Sequence, residues 1–274
     1  MKIILTGGTG FIGKHVVNEL LKFQDTQIAI IGTNKINFIN CKFPESVTFI
    51  QYDINNDFND ELIFELKKYD TLIHLAWQGL PNYNSLIHIE INLMSQYRFI
   101  KNVVKIGIKN ITITGTCMEY GLQNGELSTT FPTFPSTPYS IAKDSLHKFI
   151  RLLKKEYDFN IKWLRLFYMY GVGQSEKSIF SLLKKSVEMK ESTFKMSGGE
   201  QLRDYLPVEV VAEKIVNFAF DSKTDGVFNI CSGKPISIRN LVEKIIKDND
   251  YKIDLELGYY PYLDYEPLAF WGKI

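Results

Sequence analysis

The chain has 274 residues, of which 45% are hydrophobic and 23% are charged, and its formal net charge is +1. This composition is typical of a folded globular protein, and the near-neutral charge argues against nucleic acid or an anionic membrane as a partner. Three unclustered cysteines, Cys41, Cys117 and Cys231, form neither a disulfide framework nor a zinc pattern. No apolar run has the length of a membrane span or the form of a signal peptide, so we expect a cytoplasmic protein without a metal.

The first two thirds of the sequence alternate short apolar runs with longer amphipathic segments. Strands are predicted at 2–6, 27–31, 47–53, 70–76, 110–114 and 161–167, and helices at 13–23, 84–107 and 138–157. This alternation predicts βαβ units, and hence an α/β fold with a Rossmann-type, doubly wound parallel sheet and helices on both faces.

After residue 167 the pattern changes. Helices are predicted near 176–190, 208–221 and 237–249, and short strands at 226–230 and 252–257. We therefore predict that residues 1–167 form the Rossmann domain and that residues 168–274 form a smaller C-terminal α/β lobe over the carboxyl edge of the sheet. No Gly-, Ser- or Pro-rich linker marks this boundary.

A glycine-rich stretch, "TGGTGFIG", follows the first predicted strand. Its glycines are spaced for a tight turn, for the close approach of a pyrophosphate and for helix–strand packing. The helix that follows offers free N–H groups and the positive end of its dipole to phosphate. This position favours a dinucleotide site over a turn without a ligand, although the Gly-x-x-Gly-x-x-Gly spacing is not the commoner one. The predicted cofactor-binding residues of this loop are Gly7, Thr9, Gly10, Phe11, Ile12 and Gly13.

The second predicted strand ends in "IIGTNK", without the acidic residue that usually holds an adenosine ribose. Thr33, Asn34 and Lys35 could instead accommodate a ribose phosphate, which favours NADP over NAD; Lys35 could also be a solvated turn residue. Asp53 and Ile54, after the third strand, are candidates for the adenine end of the cofactor. The alternative for Asp53 is the N-cap of the following helix.

Tyr139 and Lys143, in "YSIAK", are four residues apart and would share one helix face. A nearby ammonium group favours tyrosinate, which makes the phenol a usable acid or base. The spacing alone fits an ordinary amphipathic helix equally well. Thr116, however, follows the carboxyl end of the fifth strand, where ligands bind in doubly wound sheets. We therefore predict that Thr116, Tyr139 and Lys143 form a catalytic group.

Seven stretches together resemble, in their order along essentially the whole chain, the extended short-chain dehydrogenases/reductases that modify nucleotide sugars. They are "TGGTGFIG", "HLAW" (74–77), "TGTCMEYG" (114–121), "YSIAK" (139–143), "RLFYMYG" (165–171), "RDYLPVEVVA" (203–212) and "GVFNICSG" (226–233). The resemblance implies a nicotinamide cofactor and a nucleoside-diphosphate sugar in the C-terminal lobe. The end of the second strand favours NADPH as that cofactor, with NAD as the alternative. It also implies a homodimer that forms through the helices near 84–107 and 138–157.

The same resemblance implies roles for individual residues. Tyr139 would be the acid/base, Thr116 the assisting hydroxyl, and Lys143 would hold the nicotinamide ribose and lower the pKa of Tyr139. The residues implied to line the cofactor are Leu75, Ala76 and Trp77. The predicted substrate contacts are Thr116, Cys117, Met118, Tyr168, Gln174 and Arg203. The resemblance implies that Arg203 faces the diphosphate or base, whereas Gln174 could equally make a hydrogen bond within the lobe.

The residues after Thr116 reduce the number of reactions that the site could catalyse. Dehydratases of this family carry Thr-Asp-Glu, but here Cys117 and Met118 follow Thr116, so the acid and base of water elimination are missing. Glu119 stands one position further on and is expected to contact solvent or the lobe. Cys117 is one position away from the cysteine of GDP-fucose synthase-like enzymes and is better explained as a small buried residue. His147 is expected to be structural.

With water elimination and epimerisation before reduction disfavoured, hydride transfer to a ketone without a further step is the reaction that remains. "TCMEYG" and "YEPLAFWG" (265–272) resemble reductases that act on dTDP-4-keto-6-deoxyglucose and related 4-keto sugars. The resemblance thus implies an NADPH-dependent 4-ketoreductase that serves surface-polysaccharide sugar biosynthesis. An NAD-dependent nucleotide-sugar 4-epimerase is the alternative, since it needs the same three catalytic residues. A non-catalytic NADP-binding regulator or scaffold is an alternative of another class, against which the intact catalytic group argues.

Overall fold

The structure is a computed structural model and describes residues 1–262 and 267–274. The strands are β1 (Lys2–Thr6), β2 (Gln27–Gly32), β3 (Val47–Gln51), β4 (Thr71–His74), β5 (Asn110–Thr116), β6 (Gly125–Leu127), β7 (Asn160–Leu166), β8 (Tyr168–Tyr170), β9 (Thr193–Lys195), β10 (Leu202–Arg203), β11 (Tyr205–Pro207), β12 (Gly226–Ile230), β13 (Ile236–Ser237), β14 (Asp254–Glu256) and β15 (Phe270–Gly272). The α-helices are α1 (Phe11–Leu20), α2 (Lys35–Asn40), α3 (Asp60–Leu66), α4 (Leu93–Lys105), α5 (Pro138–Leu153), α6 (Ile179–Glu188), α7 (Val208–Phe220) and α8 (Ile238–Asp248).

Seven strands form one parallel sheet in the order β12-β7-β5-β4-β1-β2-β3. All six strands predicted in the first two thirds of the chain belong to it. The strand order reverses between β1 and β4, and such a reversal opens a crevice at the carboxyl ends of the strands. The predicted Rossmann-type, doubly wound α/β fold is confirmed.

The sheet is covered on both faces, which explains why strands such as β1 and β2 are mostly apolar, while β5 and β7 also bury polar side chains such as Thr112 and Lys162. One cluster of buried residues joins the sheet to α1 and α7 and includes Val16 and Ile215; the other joins it to α3, α4 and α5 and includes Phe99 and Leu146. Complete burial of such a side chain contributes about 1.5–3 kcal/mol. These packed layers hold the carboxyl ends of the strands in fixed positions.

The segment 226–230 was assigned to the C-terminal lobe, and here the prediction was wrong. It forms β12, which pairs along its length with β7 at the edge of the main sheet. Helix α7 likewise packs against the sheet beside α1. The chain therefore returns to the Rossmann sheet after residue 167, because an unpaired edge of β7 and an exposed sheet face would otherwise remain.

A smaller cluster of buried residues, separate from the two that cover the sheet, lies in the last third of the chain. Leu183 of α6, Phe194 of β9 and Val242 of α8 pack together with Met196 and Ile253. The short pairs β9–β14 and β10–β13 accompany this cluster. The predicted C-terminal α/β lobe stays a prediction, and its residues 263–266, including part of "YEPLAFWG", lie outside the described residues. Within the ranges 1–262 and 267–274, no helix is long and apolar enough to cross a membrane.

The predicted helix at 84–107 starts later than expected, and the one at 138–157 starts where expected and ends earlier, at Leu153. The segment 84–107 begins as a π-helical turn at His88–Asn92 and continues as α4. Helix α5 begins at Pro138, and its N-cap is Thr137, whose hydroxyl accepts a hydrogen bond from the Ser140 N–H at 3.2 Å. Proline at the first helical position and a threonine cap both fix the start of a helix. Tyr139 is thereby held in the first turn of α5.

Candidate active site

The loop between β1 and α1 has the shape that a phosphate-binding turn requires. Gly7 has a φ of +73°, and a Cβ atom there would lie 2.8 Å from the Ala76 nitrogen. A Cβ atom on Gly13 would lie 2.6 Å from the Gly8 Cα and would overlap the Gly7 carbonyl oxygen. Gly10 is the N-cap of α1 and has no side chain to cap the first turn. The N–H groups at the start of α1 therefore face outward for an anion, and the loop fits a dinucleotide pyrophosphate.

This loop forms one wall of a cleft of about 300 Å³ at the carboxyl ends of β1, β2 and β4, here called the glycine-loop cleft. The cleft brings together ten of the predicted cofactor-binding residues: Gly7, Thr9, Gly10, Thr33, Asn34, Asp53, Ile54, Leu75, Ala76 and Trp77. They come from four separate segments of the chain, and the doubly wound topology places all four at one edge of the sheet.

At the far end of the glycine-loop cleft, the structure differs from the sequence prediction for Lys35 and from the alternative prediction for Asp53. Lys35 is exposed at the start of α2 and does not line the cleft, whereas Asn34 lines it and caps α2 by accepting a hydrogen bond from the Asn37 N–H at 3.1 Å. The N-cap of the helix after Asp53 is Asn59, so the alternative prediction for Asp53 was wrong. Asp53 instead accepts the backbone N–H of Asn55 at 2.9 Å.

A second cavity of about 240 Å³, here called the Tyr139 pocket, adjoins the cleft. It brings together Ile12, Thr116, Cys117, Met118, Tyr139, Lys143 and Tyr168 from the predicted set. Leu75 and Trp77 line both cavities, so the glycine-loop cleft and the Tyr139 pocket share a wall. A dinucleotide in the cleft and a second ligand in the pocket would thus meet beside Tyr139.

Tyr139 is buried in the wall of this pocket. Its backbone N–H donates to the Tyr83 carbonyl oxygen at 3.1 Å, and its hydroxyl interacts with the Thr116 hydroxyl. Burial raises the pKa of Tyr139 well above its ordinary value, and the Thr116 hydrogen bond lowers it in part. The predicted lowering by Lys143 is not found here, because burial dominates. The phenol is therefore protonated and ready to act as an acid.

Lys143 lies one turn further along α5. Its Nζ donates to the Thr114 carbonyl oxygen at 2.8 Å and lies 4.1 Å from the centroid of the Trp77 ring. Burial lowers the pKa of Lys143 to about 7, and the negative charge of Glu119 opposes this lowering. The ammonium group is thus held beside the shared wall of the two cavities, with its protonation balanced near neutral pH.

Glu119 does not contact solvent, so that prediction was wrong. The segment Cys117–Tyr120 is a short 3₁₀ helix and not extended backbone, and it turns Glu119 into the interior. Its carboxylate pairs with the Arg165 Nε at 2.7 Å and accepts the Trp163 indole N–H at 3.0 Å. It also accepts the Thr116 N–H at 2.8 Å. The carboxylate is fully buried and paired.

Two residues of the site had no sequence signal strong enough to predict them. Tyr83 lies in the irregular segment before the π-helical turn, and its ring centroid is 5.4 Å from that of Tyr139. His74, the last residue of β4, is fully buried: its Nδ1 meets the Thr6 hydroxyl at 2.8 Å and its Nε2 meets the Gln96 Oε1 at 2.6 Å. The Thr6 hydroxyl in turn accepts the Ala76 N–H at 3.2 Å. His74 thus supports two walls of the glycine-loop cleft from behind.

Two predicted substrate residues lie away from the Tyr139 pocket. Gln174 is half-buried and donates to the Met169 carbonyl oxygen at 3.1 Å. Arg203 is almost completely buried; its guanidinium group lies 4.7 Å from the Phe270 ring centroid and 5.7 Å from that of Tyr168, which lines the pocket. Arg203 therefore reaches the pocket through Tyr168, and its role toward a ligand stays a prediction.

Comparison with known proteins places this site in a family. The model of the NAD dependent epimerase/dehydratase family matches residues 3–231. A dTDP-6-deoxy-L-talose 4-dehydrogenase (NAD(+)) of Aggregatibacter actinomycetemcomitans is 32% identical over 275 residues, with 99% of each chain covered.

Solved structures are similar over nearly the whole chain. A UDP-N-acetylglucosamine 4-epimerase from Methanobrevibacter ruminantium M1, in complex with UDP-N-acetylmuramic acid, has a TM-score of 0.83 at 26% identity, covering 98% of this chain and 88% of that one. A UDP-glucuronic acid 4-epimerase from Bacillus cereus, in complex with UDP-glucuronic acid and NAD, has a TM-score of 0.85 at 24% identity, with 100% and 90% covered. With its glycine loop and its Thr116, Tyr139 and Lys143 group, the chain is an enzyme that belongs to the NAD dependent epimerase/dehydratase family.

Proposed function

We propose that this enzyme transfers a hydride between a nicotinamide cofactor and C4 of a dTDP-linked 6-deoxy sugar, as a 4-ketoreductase. The observation that carries the proposal is the composition of the Tyr139 pocket. Among the described residues that line it, Lys143, Tyr139 and Thr116 are accompanied mainly by apolar and aromatic side chains, with the Cys117 thiol, and none is a carboxylate or a histidine. Water elimination and epimerisation at C5 need such groups beside the sugar, whereas hydride transfer at C4 does not.

Each catalytic residue has one task in this reaction. The cofactor, when bound in the glycine-loop cleft, supplies the hydride that reduces the ketone. Tyr139 donates a proton to the sugar O4 and, since burial raises its pKa, carries that proton at neutral pH. Thr116 hydrogen-bonds the same oxygen and the phenol, and the Lys143 ammonium stabilises the negative charge that remains on Tyr139.

The apolar wall of the Tyr139 pocket suits a 6-deoxy sugar. Leu80, Met118 and Phe167 contribute aliphatic, thioether and aromatic surface there. A methyl group at C6 can be buried against such a surface at a gain of about 0.8 kcal/mol per carbon, whereas a C6 carboxylate would lose its hydration. The name of the A. actinomycetemcomitans relative, which is a dehydrogenase of a dTDP-6-deoxy sugar at C4, describes the same redox couple.

An NAD-dependent 4-epimerase is the second candidate. It is favoured by relatives such as the UDP-glucose 4-epimerase of Halalkalibacterium halodurans, which is 24% identical over 286 residues. Such an enzyme would use the same acid/base and would retain its cofactor between the two half-reactions. The two functions therefore differ in whether the cofactor is consumed.

Both NADP and NAD are candidates for the cofactor. Thr33 and Asn34 line the adenosine end of the glycine-loop cleft, and no acidic residue of β2 is there to repel a 2′-phosphate. This supports NADPH as the reductant, while the relative's name specifies NAD(+). Initial rates with NADPH and with NADH, measured under the same conditions, decide between them.

We also propose that two copies of the chain pair through α4 and α5. Met94 on α4 and Ile141 and Leu152 on α5 are exposed apolar side chains. Phe149 of α5 packs edge-on against Tyr97 of α4, with ring centroids 5.9 Å apart, and is itself exposed. These side chains form an apolar stripe on two neighbouring helices, which a second copy would cover.

The test incubates the purified protein with dTDP-4-keto-6-deoxyglucose and NADPH or NADH, follows oxidation at the nicotinamide absorption band and identifies the product by mass spectrometry. Tyr139→Phe should reduce turnover by about 1,000-fold or more, since the acid is lost, and should retain cofactor binding. Tyr157→Phe, a tyrosine outside both cavities, is the matched control and should retain turnover. A parallel incubation with UDP-glucose and NAD tests the epimerase: formation of the C4 epimer without net cofactor reduction would establish that function instead. Cofactor binding without turnover of the 4-keto sugar would overturn the proposal.

A further inference from the structure

The buried carboxylate of Glu119 has no task in the reaction described above. It is 0% exposed, and three donors converge on it: the Thr116 N–H, the Trp163 indole N–H and the Arg165 Nε. The side chain of Arg165 is only 4% exposed, and its guanidinium carbon lies 4.5 Å from the Tyr120 ring centroid. A charged pair of this kind therefore lies directly behind the residues of the Tyr139 pocket.

Stability alone explains this pair poorly. Two buried charges lose their hydration, and this loss offsets much of their mutual attraction, so that an apolar pair of similar volume is often as stable. Replacement of one partner alone is costly, by about 3–5 kcal/mol, because the other charge is left buried and unpaired. The contacts of the Glu119–Arg165 pair with the site are the better explanation for its presence.

The first such contact is with the backbone of Thr116. The Glu119 carboxylate accepts the Thr116 N–H at 2.8 Å, while the Thr116 hydroxyl accepts the Met118 N–H at 3.2 Å. Together they form a capping box that fixes the turn from β5 into the 3₁₀ helix. Space is tight here as well: a Cβ atom on Gly115 would lie 2.5 Å from the Glu119 Oε1. The orientation of the Thr116 hydroxyl toward Tyr139 thus depends on Glu119.

The second effect is electrostatic and concerns Lys143. Its Nζ donates to the Thr114 carbonyl oxygen at 2.8 Å, two residues before the Thr116 N–H that Glu119 accepts, so both side chains are anchored to the same end of β5. The titratable groups around Lys143 are Glu119 from the 3₁₀ helix, His74 from β4, and Tyr139 and Cys117 in the pocket wall. Burial disfavours the ammonium form, and His74 is neutral at physiological pH. Burial raises the pKa of Glu119, whereas Arg165 and the donors around the carboxylate lower it and favour the ionised form. The negative charge of Glu119 in turn favours the protonated form of Lys143.

A metal site is the alternative reading of this region. Ligand-type atoms of Glu119, Asp144 and His147 lie within 4.8 Å of one another. Each carboxylate, however, already has a cationic partner: Arg165 at 2.7 Å from Glu119, and Lys148 at 2.6 Å from Asp144. A divalent ion would therefore add uncompensated charge to a buried region, and we do not assign one.

We propose that Glu119, held by Arg165, is a positioning residue of the active site: it sets the orientation of Thr116 toward Tyr139 and keeps Lys143 in its ammonium form. This role rests on the proposed function insofar as it concerns turnover. The effect on Lys143 is a property of the protein alone and can be measured without any substrate.

The first variant is Glu119→Gln, which keeps an acceptor for the Thr116 N–H and removes the charge. We expect kcat to fall by about 10- to 100-fold, as for a catalytic group held in a displaced geometry. The Kd of the cofactor, measured by fluorescence titration, should change by less than about threefold, because the glycine-loop cleft is intact. The alkaline limb of the kcat–pH profile should move to lower pH, since Lys143 then loses its proton more readily.

Because Glu119→Gln leaves Arg165 buried without its partner, a second variant removes both charges: Glu119→Gln combined with Arg165→Met. It should fold with a thermal midpoint close to that of the wild type, and the displacement of the alkaline limb should persist. The matched control is Asp225→Asn. Asp225 also accepts a backbone N–H, that of Ile161 at 2.9 Å, and pairs with Lys154, but at the opposite edge of the sheet. Asp225→Asn should lower the thermal midpoint of unfolding and leave the kcat–pH profile unchanged.

The substrate-free measurement follows the ¹³Cε resonance of Lys143 in lysine-labelled protein, assigned with Lys143→Arg, as pH is raised. Its titration midpoint should fall in both Glu119 variants and stay constant in Asp225→Asn. An unchanged midpoint would refute the role of Glu119, even if the wild type reduces 4-keto sugars. Conversely, a lowered midpoint in a protein that reduces no 4-keto sugar would retain this role and overturn the proposed function. Failure of both Glu119 variants to fold would show that the pair serves the fold and would also overturn the inference.

Discussion

His74 should make the folded protein sensitive to acid. Its imidazole is fully buried between the Thr6 hydroxyl and the Gln96 Oε1, and its ring stacks on Phe99 with centroids 5.5 Å apart. The Gln96 oxygen can only accept, so Nε2 carries the proton and Nδ1 accepts from Thr6. This network is complete with a neutral ring, and a second proton on Nδ1 would face the Thr6 hydroxyl without an acceptor arranged for it.

The size of the stability loss in acid follows from the pKa of His74. Burial, followed by the charge of Lys143, lowers the pKa of His74 from 6.5 to about 3. At about 1.4 kcal/mol per pH unit, the difference corresponds to about 5 kcal/mol. Because the pKa is lower in the folded state, the unfolded chain binds the proton first as the pH falls. The full stability is present above pH 6.5, and this contribution is lost progressively down to about pH 3; about 3 kcal/mol should be lost by about pH 4.5.

Urea unfolding near pH 7 and near pH 4.5, on the wild type and on His74→Gln, measures this contribution. The glutamine cannot titrate and can still donate to Gln96. His147, whose pKa burial lowers to about 4, titrates in both proteins and cancels in the comparison. The wild type should lose about 3 kcal/mol more than His74→Gln between the two pH values. Parallel loss of stability in the two proteins would refute the reasoning.

Two further changes test the glycine loop and the exposed apolar stripe. Gly13→Ala places a Cβ atom against the Gly7 carbonyl oxygen and the Gly8 Cα, so the loop must shift. The Kd of the cofactor, measured by fluorescence titration, should therefore rise about 10-fold or more. An unchanged Kd would show that the loop does not bind the cofactor. Leu152→Glu puts a charge on a side chain that is 57% exposed in the stripe of α4 and α5; light scattering should report a shift from dimer to monomer, and a wild type that is already monomeric would exclude pairing through these helices.

The sequence predicted the central part of this fold because that part obeys simple rules. Strands buried on both faces are rich in apolar residues, and the runs "IIL" of β1 and "IAII" of β2 show this directly. The glycines of the first turn are required by sterics, which a single sequence displays. The start of α5 agrees with the predicted helix at 138–157, because Thr137 caps it and Pro138 occupies its first position, and this start fixes the position of Tyr139.

Other features depend on contacts between residues far apart in the chain. The run that became β12 looks like any short strand, and only pairing with β7 shows where it belongs. Glu119 was expected at the surface because carboxylates usually are; its partner Arg165 is 46 residues away. Tyr83 lies in a segment without periodicity, so no pattern indicated that its carbonyl oxygen would hold the first turn of α5.

Trp77 has a consequence for how two ligands would influence each other. Its indole lines both the glycine-loop cleft and the Tyr139 pocket, covers the Lys143 ammonium and donates to the His88 Nδ1 at 3.0 Å. A shift of the indole on occupation of one cavity changes the shape of the other. By thermodynamic linkage, the factor by which cofactor alters the affinity for sugar must equal the factor by which sugar alters the affinity for cofactor. The fluorescence of the same side chain would report both events, so that cooperativity between the ligands is measurable in a single titration series.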